Sequence, residues 1–380
     1  MKEFLKKKNI EISLKRYGID ALGAMAQGLF CSLLIGTIIN TFGAQLHIGF
    51  LTETVATVGG VNYTVGGIAS AMSGPAMAIA IGYALQCPPL VLFSMTAVGF
   101  AANALGGAGG PLAVLFIAII AAEFGKVVSK ETKVDILVTP LVTIGVGMFL
   151  SWLIAPPLGK AAMAVGNVIM WATELQPFLM GILVSVIVGV ALTLPISSAA
   201  ICAALLLTGL AGGAAVAGCC AHMVGFALAS YRENKLEGLL SQGLGTSMLQ
   251  VPNLMRKPIL WLPAVITSII NGPIATCVFK LQNNGPAINS GMGTSGLCGP
   301  ISLITGWADG GASALDSLAA KGLDAASMGV DPAAAAASPV LNWIGLIVVC
   351  FVIPAVGGWF VSEFMRKKGW IKDGDYALNL

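Results

Sequence analysis

Few residues of this 380-residue chain can do chemistry. Residues 282–300 read QNNGPAINSGMGTSGLCGP, with five glycines, two prolines, three asparagines and no charge. The side chains of Asn283, Asn284, Asn289, Ser290, Thr294 and Ser295 can both donate and accept hydrogen bonds, and the glycines let a ligand reach main-chain groups. That set suits a small neutral, polyhydroxylated, sugar-like substrate better than an ion. A cation site would favour more carboxylates, and an anion site would favour Arg or Lys. No metal site is expected.

Ionisable groups inside apolar segments are scarce. Glu123 lies near the end of one such segment and His222 in the middle of another. A carboxylate at the bilayer centre costs about 2.5–3.5 kcal/mol on insertion scales, so it is normally paired, protonated or in contact with water. Proton or substrate handling is one reading of both residues. The alternative pairs Glu123 with Lys126 or takes it to the interface, and makes His222 a satisfied structural group. A second polar cluster lies in HIGFLTETVATVGGVNYTVGG (47–67), where His47 and Glu53 alternate with apolar residues. Folding back against the spans would hide Phe50, Val55, Val58 and Val61 and carry Glu53 toward a substrate; a surface helix with Glu53 in water is the alternative.

The elements that must position these groups are membrane spans. Apolar residues make up 57% of the chain against 10% charged, and the mean hydropathy is +0.89, far outside the soluble range. The expected fold is an all-α polytopic membrane protein with about ten transmembrane helices, at 18–42, 64–86, 89–105, 111–128, 135–155, 178–194, 196–211, 213–230, 258–279 and 340–363. Alternation from a cytoplasmic N-terminus puts KVVSKETK, YRENKLEG, MRKP and the tail MRKKGWIK on one side, so both termini are expected in the cytoplasm. The net charge of +3 gives no reason to expect a nucleic-acid partner. Eight cysteines without CxxC spacing predict neither a disulfide framework nor a zinc site.

Residues 79–131 run parallel to 186–233: each has a span ending in Gly-x-Ala-Leu, a proline-bearing turn, a short span, a double glycine, another span and a basic loop. A duplication with repeats 64–157 and 178–280 is one explanation, and shared Gly/Ala composition is the other. Glycine-rich interruptions recur at Asn103–Gly110 and Gly209–Gly213, which points to a central substrate site and makes Asn103 a candidate ligand. Close helix packing through small residues competes with that reading. The run ISLITGW (301–307) is too short to span, so 281–307 is expected to be a re-entrant hairpin within a single domain covering 1–380. In the loop 308–338, Asp309, Asp316, Asp324 and Asp331 are expected in water. The tryptophans near span ends read as interfacial anchors.

GLFCSLLIGTIINTFG (28–43) and NGPIATCVFKLQNNGPAINSGMGTSGLCGPI (271–301) resemble the type 2 enzyme IIC family of the bacterial sugar phosphotransferase system, which includes perfringolysin-regulator-like membrane proteins. The resemblance implies a permease in the bacterial cytoplasmic (inner) membrane, a homodimer, and separate IIB and IIA phosphocarrier proteins. Leu51-Thr-Glu-Thr54 does not match the Gly-Ile-Thr-Glu type motif of glucose-type relatives. No phosphocarrier domain, nucleotide motif or cofactor signature accompanies the spans. A membrane sensor binding a similar ligand and an ion-coupled secondary transporter remain as alternatives.

Overall fold

The computed structural model describes residues 2–308, 310–319, 330–331 and 339–378. Asp309 and Asp324 lie outside them. The chain is an all-α polytopic membrane protein, with one short β-hairpin among the described residues. Six helical stretches there are long and apolar enough to cross a bilayer, or seven if the bent pair Val65–Ala71 and Ser73–Ala84 counts as one span. The chain divides into two compact units, Met1–Ala162 and Met163–Leu380.

The first unit contains α1 (Arg16–Gln45), α2 (Val65–Ala71), α3 (Ser73–Ala84), α4 (Pro89–Gly106) and α5 (Gly110–Val128). A proline at the first turn starts both α4 and α5, where its missing N–H costs nothing. Between them Gly107 takes a left-handed φ of 51°, and the chain doubles back. Gly106 then faces Ala113, and Gly125 faces Val91. The expected spans 89–105 and 111–128 are therefore the two arms of one antiparallel helical hairpin. The next helix, α6 (Asp135–Thr173), runs 39 residues through Pro140, Pro156 and Pro157. It follows an axial path of about 58 Å, nearly twice a hydrocarbon core of about 30 Å. The expected span 135–155 is only its first half.

The second unit is built around α9 (Gly209–Ala229), which is buried along almost its whole length. Against it pack α7 (Pro177–Thr193), α10 (Pro258–Val278) and α12 (Val340–Lys367). Asn271 of α10 donates to Ala217 O at 2.9 Å and Val349 O at 2.8 Å, locking three helices together. The second acceptor lies in a π-helical turn, Val348–Val352, where the ordinary i→i−4 ladder is interrupted. The expected span 196–211 is absent. It is a seven-residue helix, α8 (Ser198–Ala204), opened by a Ser197 cap. The chain leaves α8 through left-handed Leu206 and extended Thr208, and Gly209 forms a β-bridge with Asn283. Backbone polar groups at this depth find partners in another buried segment rather than in a helix.

Candidate functional site

Gln282–Ser295 is irregular, almost wholly buried chain with two 3₁₀ turns, Ala287–Gly291 and Ser295–Leu297. It lies along α9 and leads into α11 (Cys298–Ala308). Glycine makes this approach possible at two places. A side chain at Gly213 would collide with the Leu281 carbonyl oxygen, and Gly293 combines a φ of 53° with direct contact to Cys219.

The six predicted polar residues of this segment do not behave alike. Asn283 and Ser290 are used internally: Asn283 Nδ2 donates to Ser290 Oγ at 2.6 Å, and that hydroxyl donates to Leu207 O at 2.6 Å. Asn283 Oδ1 accepts from Ser302 Oγ at 2.8 Å and from the Gly285 N–H. These bonds staple the segment to the turn before α9. Asn284 and Ser295 are fully buried, yet Asn284 Oδ1 and Ser295 Oγ have no hydrogen-bond partner. A buried polar atom without a partner costs about 1–3 kcal/mol, so these two are where a ligand would contribute most. Thr294 Oγ1 donates only a weak bond to Met223 Sδ at 3.6 Å, and Asn289 is half-buried.

His222 is fully buried. Its Nδ1 lies 2.9 Å from Thr193 Oγ1, which lies 2.8 Å from Ser247 Oγ. The ring packs edge-on to Phe226 and beside Trp261, and Nε2 has no partner. Thr193 has one hydroxyl proton and three neighbours, the third being Gly189 O at 3.2 Å. A carbonyl can only accept. If Thr193 donates to it, His222 Nδ1 carries a proton and Nε2 is a free acceptor.

The remaining predicted residues belong to the first unit. Glu123 is paired: Oε2 lies 2.9 Å from Lys126 Nζ and Oε1 accepts from Tyr17 Oη at 3.1 Å. Lys126 is only 1% exposed and also donates to Asn9 O and Leu85 O. The N-terminal segment closes over this pair through Asn9 and Tyr17, with Lys8 paired to Glu131. Asn103 Nδ2 donates to Ser73 Oγ at 3.3 Å, tying α4 to α3. His47 and Glu53 are exposed. The segment around them folds back only in part, with Leu51 and Thr52 against Gly43 of α1 and Thr64 donating to Asn40. It forms a hairpin, Ala56–Val58 with Val61–Tyr63, turned by Gly59-Gly60 at positive φ, and it leaves Phe50 70% and Val58 65% exposed. Local turn chemistry prevails there over burial of the apolar side chains.

Sequence reasoning missed the stretch after YRENKLEG, which reads as a cytoplasmic loop. Gln242, Thr246, Ser247, Gln250 and Asn253 are all buried there. The available signal was the absence of any charge between Glu237 and Arg256.

No curated protein and no solved structure matches the chain. The family described as Phosphotransferase system, EIIC matches residues 19–378. With almost every residue of both units covered, the chain belongs to the EIIC family, the membrane component of the phosphotransferase system.

Proposed function

We propose that the chain is the permease for a small neutral polar solute, a sugar, which it binds through the 282–295 segment and releases to the cytoplasm by alternating access. The observation that carries this reading is a buried, uncharged polar segment in which Asn284 Oδ1 and Ser295 Oγ are unpaired. Separate sugar hydroxyls can donate to Asn284 Oδ1 and to Ser295 Oγ, and another sugar oxygen can accept the Ser295 proton. Membership of the EIIC family supplies the rest of the scheme. A separate IIB protein phosphorylates the sugar, IIA recharges IIB, and the permease contributes positioning rather than phosphoryl chemistry. The segment 281–307 acts as a re-entrant hairpin, the subunit works as a homodimer in the bacterial cytoplasmic membrane, and both termini face the cytoplasm. The ion pairing of Glu123 argues against ion-coupled transport through that residue.

The test is uptake of labelled hexoses and hexitols into proteoliposomes holding the full-length chain, with and without phosphorylated IIB. Saturable uptake that depends on IIB supports the reading. Binding without flux would assign a sensor instead, and flux driven by a proton gradient alone would assign a secondary transporter.

A further inference from the structure

The motif Gly-x-Gly-Thr-Ser-x-Leu occurs twice, as GLGTSML at 243–249 and as GMGTSGL at 291–297. The two copies meet: the turn Ser241–Gly245 packs against the turn Ser295–Leu297 and on α9, and Gly293 and Thr294, just before the second turn, touch Cys219 and Met223 of α9. They are not conformational copies. The Thr246 hydroxyl accepts from the Met248 N–H within its own turn, whereas Thr294 points to Met223. In and beside the two copies lies a set of incompletely used polar atoms. Ser295 Oγ and Gln242 Oε1 are buried without partners, and Ser247 Oγ is held by Thr193, behind which stands His222. Neither 238–255 nor 281–308 contains an Asp, Glu, Lys or Arg.

From this juxtaposition we infer that the two Gly-x-Gly-Thr-Ser-x-Leu loops form one composite binding site, in which Ser247 and Gln242 supply the half facing Ser295. The ligand is a neutral, multiply hydroxylated molecule. Ser295 donates and accepts. Ser247 Oγ, whose proton goes to Thr193 when Thr193 donates to Gly189 O, accepts, as does Gln242 Oε1, and no group present would balance a full charge on the ligand. Thr193 and His222 are positioning residues that set the direction of the Ser247 hydroxyl. The inference rests on the proposed permease reading and extends it to a loop of unrelated sequence position. Ser268 provides the contrast: its Oγ is also buried and unpartnered, but it sits at the crossing of α10 with α7, where Ser268 O accepts from Ser185 Oγ.

The test uses full-length Ser295→Cys, Ser247→Cys and Ser268→Cys proteins in native membranes. They are labelled with methanethiosulfonates carrying a neutral glucosyl group, a sulfonate or a trimethylammonium group, and modification at each position is read by mass spectrometry. Cysteines at 295 and 247 are expected to react with the glucosyl reagent at least tenfold faster than cysteine at 268, and faster than with either charged reagent. Reaction at 295 but not at 247 overturns the composite site and leaves the 282–295 reading standing. Reaction at neither position overturns both. Faster reaction with a charged reagent overturns the ligand class. If Ser247→Cys fails to fold, judged by its melting temperature, Gln242→Cys takes its place with the same outcomes.

Discussion

At the residue scale, the polar types in QNNGPAINSGMGTSGLCGP were legible, but their division of labour was not. Which amide is satisfied depends on the Leu207 carbonyl and on Ser302, partners that composition does not reveal. The division predicts opposite behaviour for two alanine substitutions. Asn283→Ala removes the acceptor of Ser302 and the donor to Ser290, leaving buried groups unpaired at about 1–3 kcal/mol each. It is expected to lower the melting temperature by several degrees. Ser295→Ala deletes an atom that already lacks a partner, so the melting temperature should hold or rise. Losing one hydrogen bond to the ligand, about 0.5–1.5 kcal/mol, should meanwhile weaken uptake about two- to tenfold. Scanning fluorimetry and uptake on the same two preparations check this, and the assignment fails if Ser295→Ala is the one that unfolds.

At the element scale, long periodic apolar runs were read well and interrupted ones were not. The segments 89–105 and 111–128 appear as α4 and α5 because Pro89, Pro111 and the glycines between them punctuate the chain locally. The expected span 196–211 became a short helix and an extended strap because its partner, Asn283, lies far along the sequence. The buried stretch 241–253 was hidden for a similar reason. Two of its amides bond the C-terminal tail: Gln250 Nε2 donates to Tyr376 O and Asn253 Nδ2 to Ala377 O. The close approach of the 282–295 segment to α9 gives an element-scale prediction. Gly213→Val places a branched side chain against the Leu281 carbonyl, and no rotamer removes a clash made by Cβ itself. Folded protein recovered from membranes is expected to drop severely. Gly59→Ala, on the exposed hairpin turn where a Cβ meets nothing within 4 Å, should strain only that turn and leave the yield near wild type. Equal yields for the two would show that the segment and α9 are less closely packed than described.

At the scale of the whole molecule, the chain ends close the units they belong to, a feature that hydropathy could not indicate. In the second unit the tail returns to α9: the Tyr376 ring is fully buried beside Phe226, and its hydroxyl donates to Leu260 O at 2.7 Å. Asp375 pairs with Lys257 at 2.6 Å. Partial burial of the Asp375 carboxyl works against its ionisation, but the Lys257 ammonium and the Lys372 N–H outweigh it and hold the group below the usual carboxylate range. A depressed folded value means stability that is present above the unfolded value, about 3.9, and is lost as pH falls through the folded one. Both partners are partly exposed, so the pair contributes about 0.2–1 kcal/mol. The Tyr376 ring contributes far more, since deleting a buried aromatic side chain costs about 3–5 kcal/mol. Tyr376→Ala should therefore release the tail at any pH, exposing the 372–378 backbone to proteolysis. Lys257→Met should lower the melting temperature slightly at pH 6, and the gap should narrow as pH falls below the usual carboxylate range and the wild-type carboxyl takes up its proton. A gap between Lys257→Met and wild type that persisted undiminished over that range would mean that Lys257 acts through its aliphatic stem, packed against the tail, and that the ion pair does not hold the second unit closed.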